Sequence, residues 1–387
     1  MLRCLSTLAQ PIACVLGDLN LVRPLAAVGI ACAVPSNRGM ARHSRLVRQI
    51  IDLQDADSAE EVVGRLLDFG ASFPERPVLF YQADADLLML SRNRSQLAER
   101  FRFLLAEPDL IETISNKLRW AELAQRLDLP VPATVTFDQE HASHLRFPVV
   151  IKPAAHEADM SVGRSRLEKA YAIRSRAELA DRFPDLADIP RGLVAQQMIP
   201  GPESSIESYH VYVDAGGSVA AEFTGRKIRT LPRRFGTTTA LEVVDLPDVR
   251  TLGRQIVELL EFVGVAKLDI KREPGGRLWL LEVNARFTLW NNAGAAAGVN
   301  IPAIVWADLS GRPRPLASLK RARTTWWHPY DVRARSEWGV SLVDWVTFIV
   351  SAQTRSGLAW NDPSPILHAV ANMAKRRADR TVTVAPP

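Results

Sequence analysis

A chain of 387 residues is too long for one ordinary hydrophobic core and predicts two or three domains. Its 47% hydrophobic and 24% charged residues are the composition of a soluble globular protein. The net charge of +5 sits in the tail, where residues 311–387 hold 12 Lys/Arg against 5 Asp/Glu. The body therefore shows no general basic excess, which argues against nucleic acid as a partner.

Cys4, Cys14 and Cys32 give neither a disulfide framework nor a metal-ligand spacing, and a reducing cytoplasm is the expected location. The apolar stretch around Arg3 hints at a signal peptide, but Asp18 and Asn20 interrupt it and an ordinary strand explains it better. No run approaches the roughly 20 apolar residues that span a bilayer. Residues 11–17 predict a buried strand, and Asp18 opens a helix through Ala27. Further strands are expected at 29–34 and 77–82, with helical patterns at 59–69 and 86–105. Alternating strands and helices imply a parallel sheet with covered faces. Gly17 ends the first strand, but no GxGxxG fingerprint follows it. A helix over Asn116 to Leu127 stops at Pro130 and Pro132. Strands follow at 147–152, 192–199, 205–213, 218–224, 263–271 and 277–283, with a helix at 248–262, which reads as an α+β body. Arg312-Pro313-Arg314-Pro315 marks a boundary before a mostly helical tail with five of the nine tryptophans.

Residues 278–290 carry the densest chemical signal. Glu282, Asn284 and Arg286 alternate after an apolar run, so in a strand they share one face. A carboxylate and an amide oxygen suit a hard cation such as Mg²⁺, and a guanidinium two residues on suits a phosphate. A merely polar outer face is the alternative. Residues 267–271 alternate too, and Pro274-Gly275-Gly276 predicts a hairpin that sets Asp269 beside Glu282 and Asn284. Lys152, at the end of Phe-Pro-Val-Val-Ile-Lys-Pro, aims its ammonium into a cleft or simply reaches solvent. The run from Gln196 through Ile199-Pro200-Gly201 to Glu203 predicts a hinge whose backbone suits a nucleobase edge, or only a turn. Arg226-Lys227-Ile228-Arg229 with Arg233-Arg234 is a solvated basic hairpin or a grip on an anionic substrate or on a triphosphate.

From about Ile114 to Leu309, these constellations in this order resemble the ATP-grasp superfamily of carboxylate–amine or carboxylate–thiol ligases. Leu-Leu-Glu282-Val-Asn284-Ala-Arg286, then Ala293-Gly294 to Gly298 and Ile301-Pro302, is similar to the corresponding stretch of carbamoyl-phosphate synthetase and biotin carboxylase. Val-Val-Ile-Lys152-Pro, Gln-Gln-Met-Ile-Pro-Gly and Leu-Asp269-Ile-Lys271-Arg are further matches. The chain looks most like the bacterial predicted ATP-dependent carboligase group, with D-aspartate ligase a similar relative.

The resemblance implies a Rossmann-like α/β domain at 1–112 and an α+β ATP-grasp domain at 113–311, followed by the extension 312–387. A small lid subdomain would fall within 113–200 and a metal-binding subdomain within 201–311. ATP and Mg²⁺ are the implied cofactors, with Mn²⁺ as a substitute. Lys117 and Lys152 would hold phosphates, with Lys169 reaching them from beyond the lid loop. The backbone near Gln197 and Ile199 would take adenine, and Glu203 the ribose. Asp269, Glu282 and Asn284 would carry the metal, and Arg286 would neutralise the transferred phosphate. Arg229, with Arg233 and Arg234, is the candidate grip on an acidic substrate. The implied activity activates a small carboxylate as an acyl-phosphate and couples it to an amine. An ATP-grasp kinase or carboxylase, or a non-catalytic nucleotide-binding regulator, are the alternatives, and a homodimer is compatible with all of them. Two departures stand out: Gln197 replaces the usual glutamate, and the loop after Lys152 has only Gly163.

In the tail, Trp338, Leu342, Trp345 and Ile349 fall at helical spacing between basic clusters at 320–323 and 375–380. Such a helix packs against the body or makes weak peripheral contact with an anionic membrane surface, packing being the simpler expectation.

Overall fold

The computed structural model describes residues 10–356 and 362–368, apart from 38, 57, 139–140, 142–143, 156–160, 163–164, 167–169 and 184–191. Lys169, most of the lid loop and the basic cluster at 375–380 lie outside the described residues. The chain forms two compact units, one of residues 1–104, 287–329 and 346–387 and one of residues 105–286 and 330–345. Both units draw on segments that are not contiguous in the chain.

In the first unit, β1 (Ala13–Leu16), α1 (Leu19–Ala26), β2 (Cys32–Pro35), α2 (Ala59–Ala71) and β4 (Val78–Tyr81) fall where the sequence predicts, and β3 (Val47–Ile51) is a further strand that it does not predict. The strands form a parallel sheet in the order β3-β2-β1-β4. β1, β2 and β4 are buried along their whole length, which is why they read as continuous apolar runs. Asp18 caps α1 by accepting from the Asn20 amide at 2.8 Å. The helical pattern at 86–105 is divided at Asn93 into α3 (Asp84–Arg92) and α4 (Arg94–Arg100). It then stops, because Phe101 and Leu105 are buried and the Arg102 backbone bonds to Pro77 and Leu79 beside β4.

Two helices distant in sequence complete this unit, α9 (Trp290–Ala297) and α10 (Ile301–Leu309). They pack against α1. The indole of Trp306 donates to the Pro11 carbonyl at 2.9 Å, and Asn300 donates to the Pro24 carbonyl at 2.8 Å. The tail adds β16 (Arg323–Trp327) and β17 (Thr354–Arg355), paired in parallel, so it is not helical throughout.

The second unit opens with α5 (Pro108–Ser115) and α6 (Lys117–Arg126). An antiparallel sheet follows, ordered β5-β10-β6-β9, from β5 (Thr134–Thr136), β6 (Val149–Pro153), β9 (Tyr171–Ile173) and β10 (Leu193–Gln197). A short hairpin, β7 (Ser161–Val162) with β8 (Ser165–Arg166), precedes β9, and α7 (Arg176–Arg182) follows it. Phe137, Ile151, Ile173 and Leu193 form the core of this sheet.

The larger antiparallel sheet runs β15-β14-β11-β12-β13, from β11 (Ile206–Val213), β12 (Val219–Leu231), β13 (Thr237–Val244), β14 (Gly264–Arg272) and β15 (Leu278–Asn284). β12 extends seven residues past the expected strand end and takes in the cationic stretch. Two helices pack against this sheet, α8 (Pro247–Leu259) against β11 and α11 (Asp331–Glu337) against β12. A further helix, α12 (Leu342–Ser351), joins on through Trp345, whose indole donates to Asp331 at 3.0 Å. Trp338 likewise donates to the Thr230 carbonyl at 2.9 Å, so both tryptophans of the helical stripe pack on the protein. Leu342 remains exposed.

Gly253 on α8 sits directly over the Tyr209 ring, where a Cβ would meet a ring carbon at 2.3 Å. Gly253→Val is expected to lower stability by about 1–3 kcal/mol through overpacking. An unchanged urea unfolding midpoint would contradict this packing.

Candidate functional site

The β14–β15 hairpin sets Asp269 opposite Glu282 and Lys267 opposite Asn284, and Ser208 of β11 faces Asp269 from the other side. Directly opposed residues of an antiparallel pair share a face, so these five side chains stand together. A bulge between Asp269 and Ile270 leaves Leu281 as an extra residue, because Ile270 pairs with Leu280 and Asp269 with Glu282. Leu280 and Val283 are both buried as a result, while Glu282 turns outward.

Asp269 is the centre of this face. Its Oδ1 accepts from Ser208 Oγ at 2.6 Å and its Oδ2 from Lys267 Nζ at 2.7 Å, with Lys227 Nζ at 3.5 Å. Burial alone would raise the carboxyl pKa, but Lys227, Lys267 and the Ser208 hydroxyl outweigh it and hold the group well below the usual carboxylate range. Burial pulls the Lys227 ammonium down, yet Asp269, Glu282 and Glu203 together carry it above its ordinary value. For Lys267 burial wins and the pKa is lowered despite Asp269. Lys271 is lowered by burial as well, with Glu203 acting the other way.

Glu282 is exposed and accepts from Asn284 Nδ2 at 3.2 Å, and Arg286 donates to Asn284 Oδ1 at 3.0 Å. The structure therefore brings Asp269, Glu282, Asn284 and Arg286 together. It adds Lys227, which the sequence offers only as part of the cationic stretch, and Lys267, which sequence reasoning gives no role. Among the described residues no three His, Cys, Asp or Glu side chains cluster as a metal site. The oxygen set here is two carboxylates and an amide. That set fits a hard cation which draws its remaining ligands from phosphate oxygens and water. Ionised Asp269 also retains acceptor capacity on Oδ1.

The other candidates lie in the smaller sheet and in the segments beside it. Lys152 Nζ donates to Gln196 Oε1 at 2.8 Å, and Gln196 Nε2 donates to Thr134 Oγ1 at 2.9 Å, so a chain across three strands aims the ammonium. Lys117 opens α6, and its backbone N–H donates to Ala154 at 2.8 Å, next to the end of β6. At the hinge, the Gln197 N–H donates to Ala133 and the Met198 N–H to Pro148, so these two donors anchor the hinge rather than face a base. Ile199 is buried. Glu203 begins a short 3₁₀ turn, and its carboxylate acts on Lys227 and Lys271.

Arg229 falls elsewhere. Lys227 pairs with Leu241 and Arg229 with Ala240, so Ile228 is an extra residue in β12. Simple alternation puts Lys227 and Arg229 on one face, but the bulge turns them to opposite faces. Arg229 is buried there against Asp331 in a bidentate pair, Nε to Oδ1 at 2.9 Å and Nη2 to Oδ2 at 2.6 Å. The expectation that it grips substrate is corrected accordingly: this guanidinium is a structural group. Arg233 stacks over the Trp338 ring at 5.2 Å.

No family model matches the chain. It is 28% identical to D-aspartate ligase of Enterococcus faecium, over 51% of this chain and 50% of that protein. It is 27% identical to D-alanine–D-alanine ligase of Pseudomonas entomophila, over 50% of this chain and 63% of that protein. The chain thus spans 50% to 63% of the length of these relatives. Its fold is that of L-amino acid ligase from Bacillus licheniformis, with a TM-score of 0.60 and 16% identity over 82% of this chain and 79% of that one. An ADP complex of N5-carboxyaminoimidazole ribonucleotide synthetase matches with a TM-score of 0.61 and 15% identity, over 82% of this chain and 81% of that one.

Asp269→Leu removes the carboxylate that faces both Lys227 and Lys267. It is expected to cost about 3–5 kcal/mol, because two buried ammonium groups then lose their counter-charge. Equilibrium unfolding in urea measures the loss, and a midpoint equal to the parent's would refute the arrangement.

Proposed function

We propose, from the chain's membership of the ATP-grasp superfamily, that it is an ATP-dependent carboxylate–amine ligase. The observation that carries this reading is the single sheet face holding Asp269, Glu282 and Asn284 with Lys227 and Lys267.

A carboxylate is a poor electrophile, so the first step attaches the γ-phosphoryl group of ATP to a carboxylate oxygen. One P–O bond to ADP breaks and one P–O bond to the substrate forms. The amine then attacks the acyl carbon, phosphate leaves with the C–O electron pair, and the amine proton passes to solvent. Both steps need positioning and charge neutralisation more than a protein nucleophile. Lys117, Lys152 and Lys227 bind phosphate oxygens in this reading, with Lys169 as a further candidate. Arg286 neutralises the transferred phosphoryl group. Asp269, Glu282 and Asn284 would hold Mg²⁺, or Mn²⁺ with the same oxygen ligands, which when bound screens the charge of the triphosphate. The hinge from Gln197 to Ile199 would lie along the adenine, and Glu203 would meet the ribose.

A cavity of about 430 Å³ in the first unit offers a site for the amine substrate. Its lining includes Gly17, Asp18, Asn37, Gln82, His328 and Ser356. It opens at the carboxyl ends of β1, β2 and β4, where the strand order reverses, the usual place for ligands in an open parallel sheet. Asp18 and Gln82 are interlocked, the Asp18 N–H donating to Gln82 Oε1 at 2.7 Å and Gln82 Nε2 to Asp18 Oδ1 at 3.1 Å. A fixed, exposed carboxylate suits an amino-bearing metabolite such as an amino acid. Among the described residues, no helix is long and apolar enough to cross a membrane.

Glu282→Gln is expected to lower ATP-dependent phosphate release by on the order of 10²–10³-fold. Because Glu282 is exposed, the melting temperature stays at the parent value. Screening amino acids and carboxylates for phosphate release supplies the assay, and undiminished turnover in the folded variant would sink the assignment. Asp18→Asn should raise KM for the amine about tenfold with KM for ATP unchanged. A change in the ATP term alone would remove the cavity from the mechanism.

A further inference from the structure

Lys271 is a buried ammonium on the candidate face whose charge no direct contact answers. Along β14, Lys267, Asp269 and Lys271 alternate, and the pairing with β11 is regular, so the three side chains share one face. Lys271 is 7% exposed. Asp269 accepts from Lys267 and from Ser208, whereas among the described residues no hydrogen bond or ion pair reaches the Lys271 ammonium. Burial lowers its pKa, Glu203 opposes this through charge alone, and Lys227 and Arg234 add to the lowering. Glu203 is shared, because it also acts on Lys227. One carboxylate is thus divided between two ammonium groups, with the Arg234 guanidinium as a third cation nearby. That balance favours an incoming anion. All of these groups belong to the second unit.

Two neighbours fix where this ammonium lies along the face. A Cβ at Gly201 would stand 3.9 Å from Lys271 Cε, so the side chain runs beside the hinge. In the other direction Asp269 is two residues along β14, about 7 Å away. Under the proposed reading the base follows the hinge from Gln197 to Ile199, Glu203 meets the ribose, and the metal-bound phosphates lie at Asp269. The phosphate joined to the ribose then passes between Glu203 and Asp269. We propose that Lys271 binds this first phosphate of the nucleotide, donating from Nζ to its oxygens. The inference rests on the proposed nucleotide reading of that face. A buried ammonium without a direct partner costs the empty protein stability. It also has no existing contact to give up when an anion arrives, so the charge-assisted bond it forms is a net gain.

The test titrates the full chain and its Lys271→Met and Lys271→Gln variants with adenosine, AMP and Mg-ADP, alongside a thermal melt. The parent is expected to bind AMP more tightly than adenosine. Both variants should bind AMP and Mg-ADP about tenfold more weakly, and adenosine as the parent does. Their melting temperatures should equal or exceed the parent's, because each removes a buried charge without a direct partner and leaves Glu203 with Lys227. Lys271→Gln keeps the measurement available if methionine disturbs the fold. Lys227→Met, which removes the ammonium facing Asp269, should weaken Mg-ADP and spare AMP. Equal losses for adenosine and AMP in the Lys271 variants, or parent-like affinity for all three ligands, overturn the assignment. A melting temperature below the parent's in both Lys271 variants marks a structural ion and overturns it too. A parent that binds Mg-ADP no more tightly than adenosine would instead overturn the nucleotide reading on which the inference stands.

Discussion

Charge balance on one face of the larger sheet is the constraint that organises the second unit. Lys227, Lys267 and Lys271 point where Asp269, Glu282 and Glu203 can answer them. Burying an ammonium or a carboxylate alone is expensive, and the buried Lys267, Lys271 and Asp269 are tolerable only because their neighbours carry the opposite sign. The strands that present them are otherwise apolar on their reverse side, where Tyr209, Leu268 and Ile270 are buried. One sheet thus has a packed face that secures the fold and a polar face that is free to do chemistry.

The first unit solves a different problem with a parallel sheet. β1, β2 and β4 are too apolar to present charged side chains, so polar groups gather at their ends and at helix starts. Asp18 both caps α1 and lines the cavity, held by Gln82 from the neighbouring strand end. Asn20 extends the arrangement by donating to Ser356 at 3.1 Å and accepting from the Trp326 indole at 3.3 Å. Tail residues far away in sequence therefore help to build the rim of a site whose floor comes from the first strands.

Local pattern made much of this legible. The hairpin joining Asp269 to Glu282 followed from two alternating segments around Pro274-Gly275-Gly276, and it forms in the expected register. The parallel sheet followed from strands alternating with helices. What alternation cannot reveal is an extra residue. The offset at Ile228 turns Arg229 away from the face that Lys227 shares with Asp269, a reversal with no local sequence signal. The packing of α9 and α10 on α1 was equally hidden, because their apolar faces do not specify a partner some 270 residues away in sequence. Lys267 did leave a signal, since it alternates with Asp269 and Lys271.

The two lysines at Asp269 are not equivalent, and the difference bears on how phosphate would enter. Lys267 Nζ lies at 2.7 Å from Oδ2 and Lys227 Nζ at 3.5 Å from the same oxygen. A group on the longer contact gives up less when it turns toward a new anion. Against burial, the pKa of Lys227 is raised by Asp269, Glu282 and Glu203, whereas burial lowers that of Lys267. Under the proposed function, Lys267 remains as the fixed counter-ion that keeps Asp269 ionised, and Lys227 is the ammonium that moves to the triphosphate. Asp269 would then keep two cationic partners, Lys267 and the metal that would arrive with the nucleotide.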